Sequence, residues 1–173
     1  VKDLSAEDIA LFTGLYQKIL SQKGNVKVLL QTYFGDVRDC YQEIVSLDLD
    51  GIGLDFIEGK QTLQLVQQNG FPKDKVLFAG VVNGKNIWRN HYEKTTNLLQ
   101  ELTKYSSQIV LNTSCSLLHV PYTLRHETKL NENYKKHFSF AEEKLNELAI
   151  PADGEFVTRY GELAKELDMA IGI

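Results

Sequence analysis

Four short apolar runs set the pattern of this chain. They cover residues 26–34, 51–57, 75–82 and 108–114 and are rich in Val, Ile, Leu and Phe. Their starts lie roughly 25 to 35 residues apart, the usual length of a βα unit. Their near-continuous apolar character predicts strands covered on both faces, as in a parallel sheet. Helical periodicity fills the gaps. Residues 5–19 place Ile9, Phe12, Leu15, Tyr16 and Ile19 at helical spacing, and Ser5 with Asp8 approximates a capping box. Helices are also predicted over 36–47, 60–69 with Gly70 as C-cap, 90–106, and 131–148, where Phe138, Phe140, Leu145 and Leu148 form the apolar face. The Pro151-Ala152-Asp153-Gly154 stretch then breaks the pattern. An extra helix over 155–167 and a short strand over 169–173 follow.

The order α, (βα)×4, α, β is α/β. An open doubly wound sheet and a (βα)4 half of a TIM-type (β/α)8 barrel both fit. A whole barrel needs about 250 residues, more than this 173-residue chain offers. The pattern divides it into residues 1–148 and a divergent helix-strand tail over 149–173.

Composition narrows the function classes. The formal net charge of −4, with 19 scattered Lys and Arg, argues against nucleic acid or an anionic membrane as a partner. No apolar run reaches the roughly 18 residues of a membrane span, and the first residues lack the apolar stretch of a signal peptide. They also lack an initiator Met, as a piece of something longer would. Cys40 and Cys115, far apart in sequence, read as reduced thiols of a cytoplasmic protein.

In either architecture chemistry sits at the C-terminal ends of the strands. Asp55 interrupts an apolar strand, so its carboxylate is either a site group or a satisfied structural one. Asn83-Gly84 is a turn dipeptide with Lys85 and Arg89 close behind, suited to an anion or to a plain solvated loop. The fourth strand ends in Ser114-Cys115-Ser116-Leu117-Leu118-His119. Cys115 and His119 lack the further ligands that zinc requires. No P-loop, Gly-x-Gly-x-x-Gly or Gly-x-Ser-x-Gly occurs.

Four segments carry a resemblance. They are Leu30-Gln31-Thr32-Tyr33-Phe34-Gly35-Asp36, Asp50-Gly51-Ile52-Gly53-Leu54-Asp55, the stretch from Ala79 to Arg89 containing Asn83-Gly84-Lys85-Asn86-Ile87-Trp88, and Ser114 to Pro121. In this order and spacing they resemble the amino-terminal domain of the cobalamin-independent methionine synthase family. The likeness covers roughly residues 1–148 and implies the second half of that barrel. The family moves a methyl group from 5-methyltetrahydrofolate polyglutamate to homocysteine. Its zinc and homocysteine sites belong to a separate carboxy-terminal barrel, so the resemblance implies no cofactor and no catalytic residue in this chain.

Between the family's two barrels, the positions matching the zinc-binding His and Cys are Leu30 and Thr32 here. The matching acid falls at Lys85, and Asp55 and Cys115 keep the matching residue types. The resemblance thus implies a non-catalytic barrel half on the folate-tail side, inactive alone. Lys85 and Arg89 are the expected partners of glutamyl carboxylates, with Asp55, Ser114 and His119 as further polar groups at the mouth. A second reading is an assembly module without its own ligand, dimerising through open sheet edges to close a pseudo-barrel. A third is a small stand-alone α/β enzyme using Asp55, Lys85 and His119.

Overall fold

The computed structural model describes residues 3–148. The chain begins with helix α1 (Ala6–Leu20), started by the capping box foreseen at Ser5. The Asp8 backbone N–H donates to Ser5 Oγ at 3.2 Å, and the Ser5 N–H donates back to Asp8 Oδ2 at 3.1 Å. Asp is one methylene shorter than the usual Glu, yet it closes the reciprocal pair. Four strands follow: β1 (Leu29–Gln31), β2 (Gly51–Asp55), β3 (Val76–Val82) and β4 (Ile109–Thr113). Helices α2 (Tyr41–Ser46), α3 (Thr62–Asn69) and α4 (Tyr92–Leu102) connect them. Gly70 ends α3 with φ of 74°, a value that favours glycine.

The sheet is entirely parallel and runs in the order β1-β2-β3-β4. A doubly wound sheet would reverse direction at a switch point. Strictly sequential neighbours are instead the arrangement of an arc of a (β/α)8 barrel, so the chain forms its (βα)4 half. Every residue of β2 and β3 is buried, as expected of central parallel strands, whereas β1 at the edge is half-buried. One face of the sheet, with Ile52, Leu54, Leu77, Ala79, Ile109 and Leu111, shares the main core with Leu20, Ile44, Val66, Leu99 and Leu102 of the helices. On the other face Val76, Phe78 and Val110 form a second apolar cluster, with Leu29 packed against it.

Three expectations need correction. The strand expected over 26–34 is paired only from Leu29 to Gln31. The helix expected over 36–47 begins at Tyr41, because the loop before it is held by other bonds, such as Gln61 N–H to Asp36 Oδ2 at 3.3 Å. The helix expected over 131–148 is two helices, α5 (Glu132–Lys135) and α6 (Ala141–Glu147). Between them Phe138 pairs antiparallel with Trp88. The bridge is flanked by Arg89 N–H to His137 O at 2.9 Å and Ser139 N–H to Ile87 O at 2.7 Å. These backbone groups are used across the fold and cannot also serve a continuous helix. The extra helix and strand expected over 155–173 lie outside the described residues. Among the described residues no helix is long and apolar enough to cross a membrane.

Candidate functional site

The mouth of the half-barrel is built from the loops that follow the four strands. Asp55, the last residue of β2, is 1% exposed. Its Oδ1 accepts the N–H groups of Ile57 at 2.8 Å and Glu58 at 2.9 Å, and its Oδ2 accepts Gly35 N–H at 3.3 Å. The carboxylate therefore ties the β1 loop to the β2 loop. Thr62 Oγ1 donates to the Asp55 carbonyl at 2.7 Å and adds the start of α3 to the same knot. Of the two roles open to Asp55, the geometry gives it the structural one.

Ser114 does the same between β3 and β4. Its buried Oγ accepts Gly84 N–H at 3.2 Å, and its own N–H donates to Val82 O at 2.7 Å. A Cβ at Gly84 would meet Cys115 O at 2.5 Å and Sγ at 2.9 Å, so the turn fits this close only as glycine. Cys115 is buried, and that burial pushes its thiol pKa up. A thiol held protonated is a small packing residue rather than a nucleophile.

Lys85 and His119 meet on a residue that the sequence reading did not single out. The Lys85 Nζ lies 5.6 Å from the centroid of the Phe34 ring and 3.2 Å from Glu58 Oε2. The His119 ring stands edge-on to Phe34 at 5.4 Å and 77°. Phe34 has φ of 64°, unusual for a bulky side chain. Its ring is half-exposed between Lys85 and His119, with Tyr33 at 6.1 Å. This platform, with a cation over one ring, suits a flat or anionic group. The only sequence signal for it was the aromatic pair before Gly35.

Arg89 does not join this group. It lines an open cavity of about 600 Å³ with Trp88, His91, Tyr92, Lys136 and His137. The sequence-predicted set thus divides into two knots (Asp55 and Ser114), one platform (Lys85 and His119) and one separate cavity (Arg89).

The residues present do not fit a zinc ion. Leu30 packs against the main core, and Thr32 Oγ1 donates to Gly53 O at 2.7 Å. Asp55 is taken up by backbone N–H groups. Among the described residues no three His, Cys, Asp or Glu side chains stand together as a metal-ligand group.

The family profile described as "Cobalamin-independent synthase, N-terminal domain" matches residues 1–107. A 5-methyltetrahydropteroyltriglutamate–homocysteine methyltransferase of Lactococcus lactis subsp. lactis is 55% identical over 169 residues, covering 98% of this chain and 22% of its own length. The enzyme of the same name from Campylobacter jejuni is 60% identical over 148 residues, covering 86% of this chain and 20% of its own length. Among solved structures, a B12-independent methionine synthase from a Shewanella species aligns with a TM-score of 0.42 and 13% identity, over 92% of this chain and 48% of that one. The chain spans about a fifth of the length of these two sequence relatives. With its residues 1–107 matching the N-terminal domain, the chain belongs to the cobalamin-independent methionine synthase family.

Proposed function

We propose that this chain is the non-catalytic, folate-tail-side half of the amino-terminal barrel of a methyltransferase. The whole protein moves a methyl group from 5-methyltetrahydropteroyltriglutamate to homocysteine to make methionine. The observation that carries this reading is the 55–60% identity to methyltransferases of that name along nearly the whole described segment. The mouth supports a passive role, because its carboxylate and its serine are spent on holding loops and its thiol is kept protonated. The residues do not fit zinc, so no step of the transfer is assigned to them. Lys85 and Arg89 offer positive charge to glutamyl carboxylates, and Phe34 offers a ring face.

The test is a methyl-transfer assay of the purified chain with 5-methyltetrahydropteroyltriglutamate, homocysteine and added zinc. No turnover is expected, and calorimetry of the same chain should show triglutamate-folate binding that weakens in Lys85→Ala or Arg89→Ala. Robust turnover by the chain alone would overturn the non-catalytic reading.

One observation favours a second reading, assembly with another copy. Among the described residues, β1 and β4 each pair with a strand on one side only. Such edges are templates for further pairing. Light scattering separates the readings: a concentration-dependent dimer supports assembly, and a strict monomer at high concentration removes it.

A further inference from the structure

We propose that Ser139, Lys144 and Glu147 enclose a binding site for one internal water molecule, which joins α6 to the loop after β3. This inference stands on buried polar groups and does not depend on the methyl-transfer reading.

Three residues of the segment after α5 reach the same short piece of backbone. Ser139 N–H donates to Ile87 O at 2.7 Å, Lys144 Nζ donates to Trp88 O at 3.0 Å, and Glu147 Oε1 accepts Asn90 N–H at 3.0 Å. Residues 87–90 span at most about 14 Å even when fully extended, so the three residues converge on one small region. That region is interior: Ser139, Lys144 and Glu147 are 1%, 0% and 3% exposed.

Each residue brings hydrogen-bonding capacity that the protein does not use. Ser139 Oγ and Glu147 Oε2 are buried and have no partner among the described residues. The Lys144 ammonium has three N–H groups, and among the described residues its one hydrogen bond is the one to Trp88 O. Lys144 and Glu147 stand one helical turn apart on α6. Among the described residues no ion pair joins them, because the nitrogen reaches Trp88 while the carboxylate reaches Asn90. Glu147 still favours the charged form of Lys144, so the two groups lie close enough to act on each other. A buried charge or hydroxyl without a partner is costly, and folded interiors rarely keep one.

Charge and chemistry decide what fits between them. The cluster holds one cation, one carboxylate and one hydroxyl, so a further ion of either sign meets its own charge. The site calls for a neutral group that accepts from an ammonium and donates to a carboxylate. Water does both, and an internal water typically makes about three hydrogen bonds to groups of this kind. It accepts from Lys144 Nζ, donates to Glu147 Oε2 and bonds Ser139 Oγ in either sense. The water belongs to the frame behind the mouth, on the loop that carries Lys85 and Arg89.

A high-resolution crystal structure of the full chain tests the site, and oxygen-17 relaxation dispersion counts its long-lived waters in solution. One water is expected within hydrogen-bond distance, about 2.7–3.2 Å, of at least two of Lys144 Nζ, Glu147 Oε2 and Ser139 Oγ. Lys144→Met should lower the count of long-lived waters by one. Ser139→Ala should shorten the residence time about fivefold, the worth of one net hydrogen bond. This small deletion, with folding checked by circular dichroism, keeps the test valid where Lys144→Met loses its fold. A crystal structure without such a water would overturn the proposal, whether the three groups bond one another directly or stay apart. Unchanged relaxation in the folded variants would overturn it equally.

Discussion

The ammonium of Lys144 donates to the carbonyl of Trp88 at 3.0 Å, across 56 residues of sequence. Lys144 is fully buried, which is rare for lysine. Burial pushes its pKa down, with Glu147 and Cys115 acting in the opposite direction. Glu147 takes the neighbouring backbone, accepting Asn90 N–H at 3.0 Å. Together the two residues fasten α6 to the loop that follows β3.

Removing this fastening should cost stability. Lys144→Ala leaves a buried carbonyl without its donor and a cavity where the side chain lay, so a loss of about 2–4 kcal/mol is expected. Lys144→Met fills the space and loses only the charge and the bond, so it should be milder, below about 2 kcal/mol. Urea unfolding followed by Trp88 emission measures both. Equal losses would mean that the ammonium, and not the volume, is what α6 needs.

Asp55 is expected to be intolerant of change. It serves three backbone N–H groups at once, and bonds to a charged acceptor contribute about 1.5–3 kcal/mol each. Asp55→Ala should destabilise by about 3–5 kcal/mol. Asp55→Asn, which keeps one acceptor oxygen, should lose roughly half of that. Hydrogen exchange at Gly35, Ile57 and Glu58 should speed up in both variants, and unchanged exchange there would show that the knot does not govern these loops.

Ser5→Ala removes the capping box of α1. A loss of about 1 kcal/mol is expected, from the usual range of 0.5–2. For a domain of this size it should lower Tm by about 2–4 °C, read by circular dichroism. Asp8→Ala should show a similar change, because either partner breaks the reciprocal pair.

Acid should unfold the chain in a defined direction. Burial raises the Asp36 carboxyl, but the Arg38 side chain and the Gln61 N–H outweigh it, and the net pKa is lowered. Asp50 is likewise lowered, since Val28 N–H and Lys23 overcome its desolvation. A carboxylate with a depressed folded pKa adds stability that is fully present above its unfolded value, about 3.9. That stability is lost as pH falls through the folded value. Urea midpoints measured from pH 6 to pH 2 should hold steady and then fall below about pH 4. The fall should be shallower in Asp50→Asn.

The strands β2 and β3 were legible because both faces are buried and the sequence is apolar without alternation. The short β1 was not, because the apolar run continues to Phe34 while its pairing with β2 is confined to Leu29–Gln31. The break between α5 and α6 was hidden for a related reason. Phe138, Ala141, Leu145 and Leu148 keep helical spacing, and only the pairing of Phe138 with Trp88 shows that the backbone there is used elsewhere. At the mouth, Asp55 was legible as a carboxylate that must find partners, but those partners are main-chain groups that any sequence supplies. Phe34 owes its place to a left-handed backbone, and Lys144 owes its burial to tertiary packing. Neither leaves a local pattern.

The sequential strand order also shapes how the sheet assembles. Leu29 meets Gly51, Gly51 meets Val76 and Leu77 meets Ile109, so successive partners lie 22, 25 and 32 residues apart. The entropy of closing a loop grows only with the logarithm of its length, so these three closures differ by a few tenths of a kcal/mol. No pairing depends on a distant strand arriving first. Folding can therefore start at any adjacent pair of units and grow outward in either direction, as in a repeat array whose members recognise only their neighbours.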